Sequence, residues 1–360
     1  MGSPKQSKSS REKPSSSIDR SGETICLVST AALKLRFLLD LQAQEGGSIR
    51  FDRWMQEALY HPEFGYYAAG IRDIGRRGDF TTWPIRHNSL ARALAAWALA
   101  NRPAKSWHLI EVGAGTGILA AGILQAIGWW HRPKLHIVEV SAPLRVEQQK
   151  RLGRRAIWHA RMEDALAACH GQALIYSNEL VDAFPARIFR LKDAAWQELA
   201  LRIVHGQVEE VWRNPTPDAP LPESKAFATA WPEGQRIEVQ DSYRQWQGEW
   251  DRHWKAGAML TVDYGDTCPA LYHRRPPGTL RAFAHHQRLE GPAAYAGFGL
   301  RDLTVDVNFS DLMAWSRQPA AQVRTLEEFL GQHLAPQEAR SPDGFPEAAE
   351  AFKVLEEFRG

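Results

Sequence analysis

A doubly wound α/β sheet is the fold class this sequence predicts, on three observations. Short β-type apolar runs alternate with amphipathic stretches from residue 107 to 177, a glycine-rich turn joins the first strand to its helix, and an acidic residue closes the second strand. The chain has 360 residues, enough for one large domain or two ordinary ones, with 44% hydrophobic and 24% charged residues, which excludes a wholly disordered or collagen-like chain. Lys plus Arg total 44 against 42 Asp plus Glu, so the +2 net charge gives no reason to expect a nucleic-acid-coating surface. Cys26, Cys169 and Cys268 are odd in number and far apart, which permits neither a disulfide framework nor a CxxC metal clip and suits a reducing cytoplasm. The most apolar stretch, 109–130, contains Glu111, Gln125 and five glycines and does not read as a bilayer span.

In chain order, residues 1–25 are Ser-rich without the apolar core of a secretory signal and are expected to be a disordered tail. A short helix and an ordered loop follow over 51–85, where Gly and Pro break any longer periodicity. Leu90, Leu94, Trp97 and Ala98 recur at helical spacing and predict an amphipathic helix. Strands are then expected at 107–112, 134–140, 156–159 and 173–177, with helices at 117–127, 143–152 and 163–169 between them. Alternation of this kind gives a parallel sheet with right-handed crossovers. After Pro185 an insertion begins with two antiparallel strands and a Pro-rich loop over 214–222, and returns to helix over 234–255. A buried strand at 258–265 rejoins the sheet, two more strands are expected at 279–283 and 303–309, and the remainder reads as mostly helical with acidic faces.

The segment Leu109-Ile-Glu-Val-Gly-Ala-Gly-Thr-Gly-Ile118 is the most informative. Glycines at a strand-to-helix turn let the backbone approach a ligand, and the helix N-terminus offers unpaired N–H groups. A dinucleotide fingerprint would need glycine at position 118, which is Ile; the acidic-x-Gly-x-Gly-x-Gly form of Glu111, Gly113, Gly115 and Gly117 instead favours an S-adenosylmethionine site, with Ala114 inside the turn. Glu139 closes the next strand, where an acid accepts hydrogen bonds from ribose hydroxyls. Asp164 stands where an acid could meet an adenine amino group or simply cap its helix.

Several further motifs occur in order: Tyr60-His-Pro-Glu-Phe-Gly-Tyr-Tyr67, Gly75-Arg-Arg-Gly-Asp-Phe-Thr-Thr82, Glu139-Val-Ser141, Asn178-Glu-Leu-Val-Asp-Ala-Phe-Pro185, Asp263-Tyr-Gly265, Gly278-Thr-Leu-Arg-Ala-Phe283 and Asp302-Leu-Thr-Val-Asp-Val-Asn-Phe309. Over about 50–335 the chain thereby resembles the MidA family of S-adenosylmethionine-dependent methyltransferases. The resemblance implies a class I methyltransferase fold, Rossmann-like, with an embellished substrate side. For the mitochondrial members it also implies protein arginine methylation on a respiratory NADH dehydrogenase subunit. It places Gly78, Asp79, Phe80 and Thr81 in a loop over the cofactor, and Ser141 and Asn178 beside it. Trp83-Pro-Ile-Arg-His-Asn follows that loop where the family carries a Pro-Glu-Ile-Ser-like stretch, which bears on substrate preference.

Methyl transfer from a sulfonium is an in-line displacement on an already activated carbon, so the protein must align the nucleophile, exclude water and manage charge. No metal is needed, and the sequence offers no HExxH; His285-His286 lacks one-face spacing. For an arginine acceptor, carboxylates must orient a planar cationic guanidinium. Glu179 and Asp182, just after the strand ending at 177, are the candidate catalytic pair; the other reading is that they cap the turn before Pro185. Val239, Tyr243, Trp246, Trp250 and Trp254 fall on one helical face, suited to internal packing or to a homodimer surface.

These readings divide the chain into the tail (1–25), an N-terminal helical and lid region (26–85), a cofactor-binding half (86–185), an insertion (186–257), the remainder of the sheet with the acceptor side (258–335) and a C-terminal helical segment (336–360). The expected product is a cytoplasmic enzyme with a protein substrate. An assembly chaperone that holds the cofactor without catalysis, or a small-molecule methyltransferase, is the alternative.

Overall fold

In the computed structural model the described residues are 29–70, 88–103, 106–217, 219–284, 287–318, 320–335 and 351–360, together with the antiparallel pair Ser17–Ile18 and Thr24–Ile25. Helices α1 (Thr30–Gln44) and α2 (Phe51–Tyr60) open the chain, and α3 (Ser89–Asn101) leads into the main sheet. Its strands, numbered in chain order, are β1 (His108–Val112), β2 (Lys134–Val138), β3 (Ala156–His159), β4 (Leu174–Asn178), β5 (Gly257–Asp266), β6 (Gln322–Thr325) and β7 (Phe352–Arg359). Across the sheet they run 3-2-1-4-5-7-6. Strands β1 to β5 pair in parallel, while β7 is antiparallel to both neighbours.

The parallel half follows from the alternation in the sequence. β1, β2 and β4 are near-continuous apolar runs because both faces are covered. Helices α3, α4 (Ile118–Ile127) and α10 (Leu326–His333) bury Trp97, Ile123 and Phe329 on one face. Helices α6 (Met162–Ala168) and α7 (Asp241–Trp250) bury Met162, Leu166 and Trp250 on the other. Helix α5 (Ala142–Leu152) starts from Ser141, whose Oγ accepts the Leu144 N–H. Helices α8 (Pro292–Tyr295) and α9 (Phe309–Trp315) are short.

The insertion adds an antiparallel sheet of Gln207–Arg213, Ala195–Val204, Arg187–Lys192 and Arg236–Val239, with Ile49–Arg50 pairing on Ala195–Val204. Gln207–Arg213 is a strand that the sequence reading missed. Arg281–Ala284 sits between Gln287–Glu290 and Asp302–Thr304 in a separate small sheet, which packs with α1 and α2 around Trp54, Phe298 and Leu303.

Two expectations are corrected. Residues 234–255 are not one helix: Arg236–Val239 is a strand, α7 spans ten residues, and a turn over Asp251–His253 precedes Trp254. Val239 is therefore on a strand; it, Tyr243, Trp250 and Trp254 are buried within the chain, and Trp246 is half-buried on the wall of a cleft. The C-terminal segment is also not helical over 352–359, because β7 fills the slot between β5 and β6. Its acidic residues misled the periodicity. Glu356 accepts from Trp97 Nε1 at 2.6 Å and pairs with Arg324, and Glu357 accepts from Ser316, so both carboxylates are buried with partners.

Phe352, buried against Tyr264 with ring centroids 4.0 Å apart, tests that correction. Phe352→Ala is expected to lower unfolding free energy by about 3–5 kcal/mol, read as a shifted urea midpoint at unchanged slope. A helical, peripheral C-terminus would barely respond.

Candidate functional site: a cleft at the carboxyl edge of the sheet

A cleft of about 810 Å³ opens where β1, β2 and β4 end. Open α/β sheets place ligands there because helix N-termini and loops diverge at the carboxyl edge. Its wall includes Glu111, Gly113, Ala114, Gly115, Glu139, Ser141, Asn178 and Glu179, eight residues singled out from the sequence.

The turn between β1 and α4 holds Gly113, Gly115 and Gly117 at φ +68°, +51° and +74°, left-handed conformations that side chains oppose. The Gly113 N–H donates to Val138 O at 2.9 Å and the Gly117 N–H to Ala114 O at 2.7 Å, fixing the bend. Around a Cβ placed on Gly115 nothing lies within 4 Å, so its missing side chain leaves open space, whereas Gly117 packs on Gln148 and Leu152 and is structural.

Glu139 is held by two donors: Oε1 accepts the Ser141 N–H at 2.8 Å and Oε2 accepts Gln148 Nε2 at 2.9 Å. Gln148, fully buried and overlooked in the sequence, also donates to Gly115 O at 2.8 Å and so ties the glycine turn to the acid. Asn178 Oδ1, a buried acceptor on the wall, has no protein donor, whereas Glu111 Oε2 has the Tyr176 hydroxyl beside it. An unsatisfied buried acceptor costs about 1–3 kcal/mol, so Asn178 Oδ1 suits a ligand bringing N–H and O–H groups, as S-adenosylmethionine does. Asp164 is exposed in the first turn of α6 and does not border the cleft. Gly78, Asp79, Phe80, Thr81 and His285 lie outside the described residues.

Beyond β4 the chain turns sharply. Glu179 has φ +50°, an uncommon conformation for a residue with a side chain, and its Oε1 accepts from Asn178 Nδ2 at 3.0 Å. Asp263, on β5 and fully buried, holds the turn: its Oδ2 accepts the N–H groups of Leu180, Val181 and Asp182 at 3.1, 2.8 and 3.3 Å. Asp182 does not line the cleft as expected; it is buried beneath it, in the field of Asp263, Asp302 and Arg281. Tyr60 and Tyr67 stack at 5.4 Å above this layer. Tyr60 donates to Ala183 O and Tyr67 to Asp302 Oδ1, roles visible in advance only as the Tyr60 to Tyr67 motif.

This is an acid-rich floor with little compensating charge. Burial first, then the nearby Asp182 carboxyl, pushes Glu179 up to about 8; burial pushes Asp263 up to about 7 and Asp302 to about 6. Burial likewise pushes Glu111 up to about 8, opposed by the neighbouring Tyr176 hydroxyl, and raises Asp182 strongly. Arg281, the basic group among them, is engaged by Asp306. Carboxyls raised in the folded state bind more protons there than in the unfolded chain, so their contribution to stability is complete below their ordinary values near 4 and is lost as pH rises toward 8. The melting temperature without ligand should fall steadily between about pH 5 and about pH 8. Glu111→Gln, which cannot ionise, should flatten that slope, as read by calorimetry across the range.

Residues 89–326 match the model of a protein family described as "Putative S-adenosyl-L-methionine-dependent methyltransferase". Among solved structures the chain is similar to a COG1565 superfamily member from Burkholderia thailandensis bound to S-adenosylhomocysteine, at 27% identity and a TM-score of 0.74, covering 91% of this chain and 93% of that one. A second COG1565 superfamily protein from the same organism gives 26% identity and a TM-score of 0.70 over the same shares. No curated protein matches the sequence. The likeness carries the class I methyltransferase fold and its cofactor, S-adenosylmethionine, and among the described residues no helix is long and apolar enough to cross a membrane. With its glycine turn, strand-end acid and carboxyl-edge cleft, this chain belongs to the family of S-adenosyl-L-methionine-dependent methyltransferases that the matched model describes.

Proposed function

We propose that this methyltransferase acts on a protein nitrogen, that of arginine, in the manner of the MidA family it resembles, and that its acceptor protein is a subunit of a respiratory NADH dehydrogenase. The observation that carries the arginine reading is the carboxyl layer of Glu179, Asp182, Asp263 and Asp302 under the cleft, with Arg281 already paired to Asp306. A neutral, apolar acceptor would gain nothing from that layer, whereas a cationic guanidinium would favour its ionised form and pair with it. The choice of acceptor protein rests on the family resemblance alone.

The bound cofactor supplies a methyl group already activated on a sulfonium sulfur. The glycine turn lets the chain lie close to it, Glu139 accepts from its ribose hydroxyls, and Glu111 and Asn178 offer acceptors to its amino-acid end. Leu180, Phe184 and Trp246 line the cleft as apolar wall and keep water from the reacting atoms. Glu179 orients the guanidinium and takes the proton that the methylated nitrogen must lose. Asp182 acts from below as a positioning charge. With Glu179 near 8, the incoming cation draws its pKa down and leaves a carboxylate facing the nucleophile.

Isothermal titration with S-adenosylhomocysteine tests the cofactor half: Gly115→Val fills the open space at φ +51° and should abolish saturable binding. For catalysis, Glu179→Gln should lower kcat on a methyl-accepting arginine peptide by about 10²-fold or more with KM nearly unchanged, and should remove the rise in kcat/KM toward pH 8 that is expected of the wild type. Labelled-methyl proteomics in cells with and without the protein reads the acceptor directly. Label on a small molecule, or cofactor bound without transfer, would replace the arginine reading by one of the two alternatives.

A further inference from the structure

On the face of the main sheet that α6 covers, three histidines form a diagonal ladder away from the methyl-transfer cleft wall. His108 begins β1, His136 lies in the middle of β2 and His159 ends β3. His108 Nδ1 faces His136 Nε2 at 2.9 Å, and His136 Nδ1 faces His159 Nε2 at 2.9 Å. Pairing sets this alignment: Ile110 is opposite His136 and Val138 opposite His159, so residues two apart on neighbouring parallel strands bring all three rings to one side. Cys169, the residue that caps the C-terminus of α6, points its thiol at the same spot. One ligand atom from each of His108, His136 and Cys169 lies within 4.8 Å of the other two.

We propose that His108, His136 and Cys169 bind one zinc-class divalent cation, at a site separate from the methyl-transfer cleft. Two imidazoles and a thiolate are a donor set that zinc prefers, and three protein ligands leave a fourth tetrahedral position for water. His136 and Cys169 are buried, at 1% and 2% exposure, while His108 is half-exposed at the strand's start, which gives the ion and its water a way in. Tetrahedral bonds of ordinary length set two ligating nitrogens about 3.3 Å apart, so the rings of His108 and His136 need part by only a few tenths of an ångström. The geometry behind them is also suitable. Once His136 Nε2 ligates, its proton resides on Nδ1, and His159 Nε2 accepts it; metal-bound histidines are held in tautomer and orientation by such an acceptor. Cys169 releases its thiol proton to solvent on ligation, and no other bond changes. Because the donors come from two strands and a helix end, no sequence spacing announces them.

Purified full-length protein, stripped with chelator, should take up one Co2+ per chain with a thiolate-to-cobalt charge-transfer band in the near ultraviolet, and Zn2+ should displace it. Cys169→Ser should lose the band, and His108→Ala, a change at the half-exposed edge, should weaken binding by 100-fold or more. His159→Ala should keep the band and weaken binding by about 10- to 100-fold. S-adenosylhomocysteine titration of each variant reports an intact fold independently of the metal. Absence of stoichiometric Co2+ uptake, or a band that survives Cys169→Ser, would show the histidines to be a metal-free hydrogen-bonded ladder and overturn the site without touching the methyltransferase assignment.

Discussion

One carboxylate organises the acceptor side of the cleft. Asp263 is fully buried, carries no cationic partner in its hydrogen-bond set, and is retained by three successive backbone N–H groups of the turn after β4. Charge-assisted bonds of this kind are roughly twice as strong as neutral ones, and three on a single oxygen leave the turn little freedom. That restraint keeps Glu179 at φ +50° and directs its carboxyl to the cleft rather than back along β4. The strain is offset by the bonds Asp263 makes. The depth of Asp182 follows from the same turn, since its own N–H is the third donor and its backbone O accepts from Val305.

The cofactor side has a second, independent device. Gln148 links Gly115 O to Glu139 Oε2, so the glycine bend on β1 and the acid after β2 are set at one distance by a side chain on α5. The Glu139 N–H in turn donates to His159 O at 3.1 Å, which attaches this wall to the last rung of the histidine ladder. The sheet therefore holds cofactor chemistry at its carboxyl edge and a nitrogen–sulfur donor set that reaches its amino edge.

How much of this the sequence revealed depends on whether the signal was local. Strand, glycines and helix around Gly113, Gly115 and Gly117 are contiguous, so they were legible together, as was Glu139 one βα unit later. β7 was illegible because Glu356 and Glu357 are satisfied by Trp97, Arg324 and Ser316 from other elements, and a buried, paired acid looks in sequence like an exposed one. Arg236–Val239 was concealed likewise: Glu238 is buried because it accepts from the Thr279 N–H and hydroxyl, 41 residues away. Asp182 could be singled out in the sequence as a candidate, but its buried position depends on Asp263, 81 residues further on.

The same distinction bears on substrate preference. Burial raises Glu179 and Asp182 and so favours their neutral form while the cleft is empty, which lessens the cost of desolvated charge in the fold. On the proposed arginine reading, a cation entering above them would convert that latent acidity into attraction. An acceptor without positive charge would find a floor of neutral carboxylic acids, able to hydrogen-bond but not to draw it in. On that proposed reading, selectivity for a cationic nitrogen would follow from burial rather than from a permanently charged pocket, with Tyr60 and Tyr67, hydrogen-bonded to Ala183 O and Asp302, packed beside the layer.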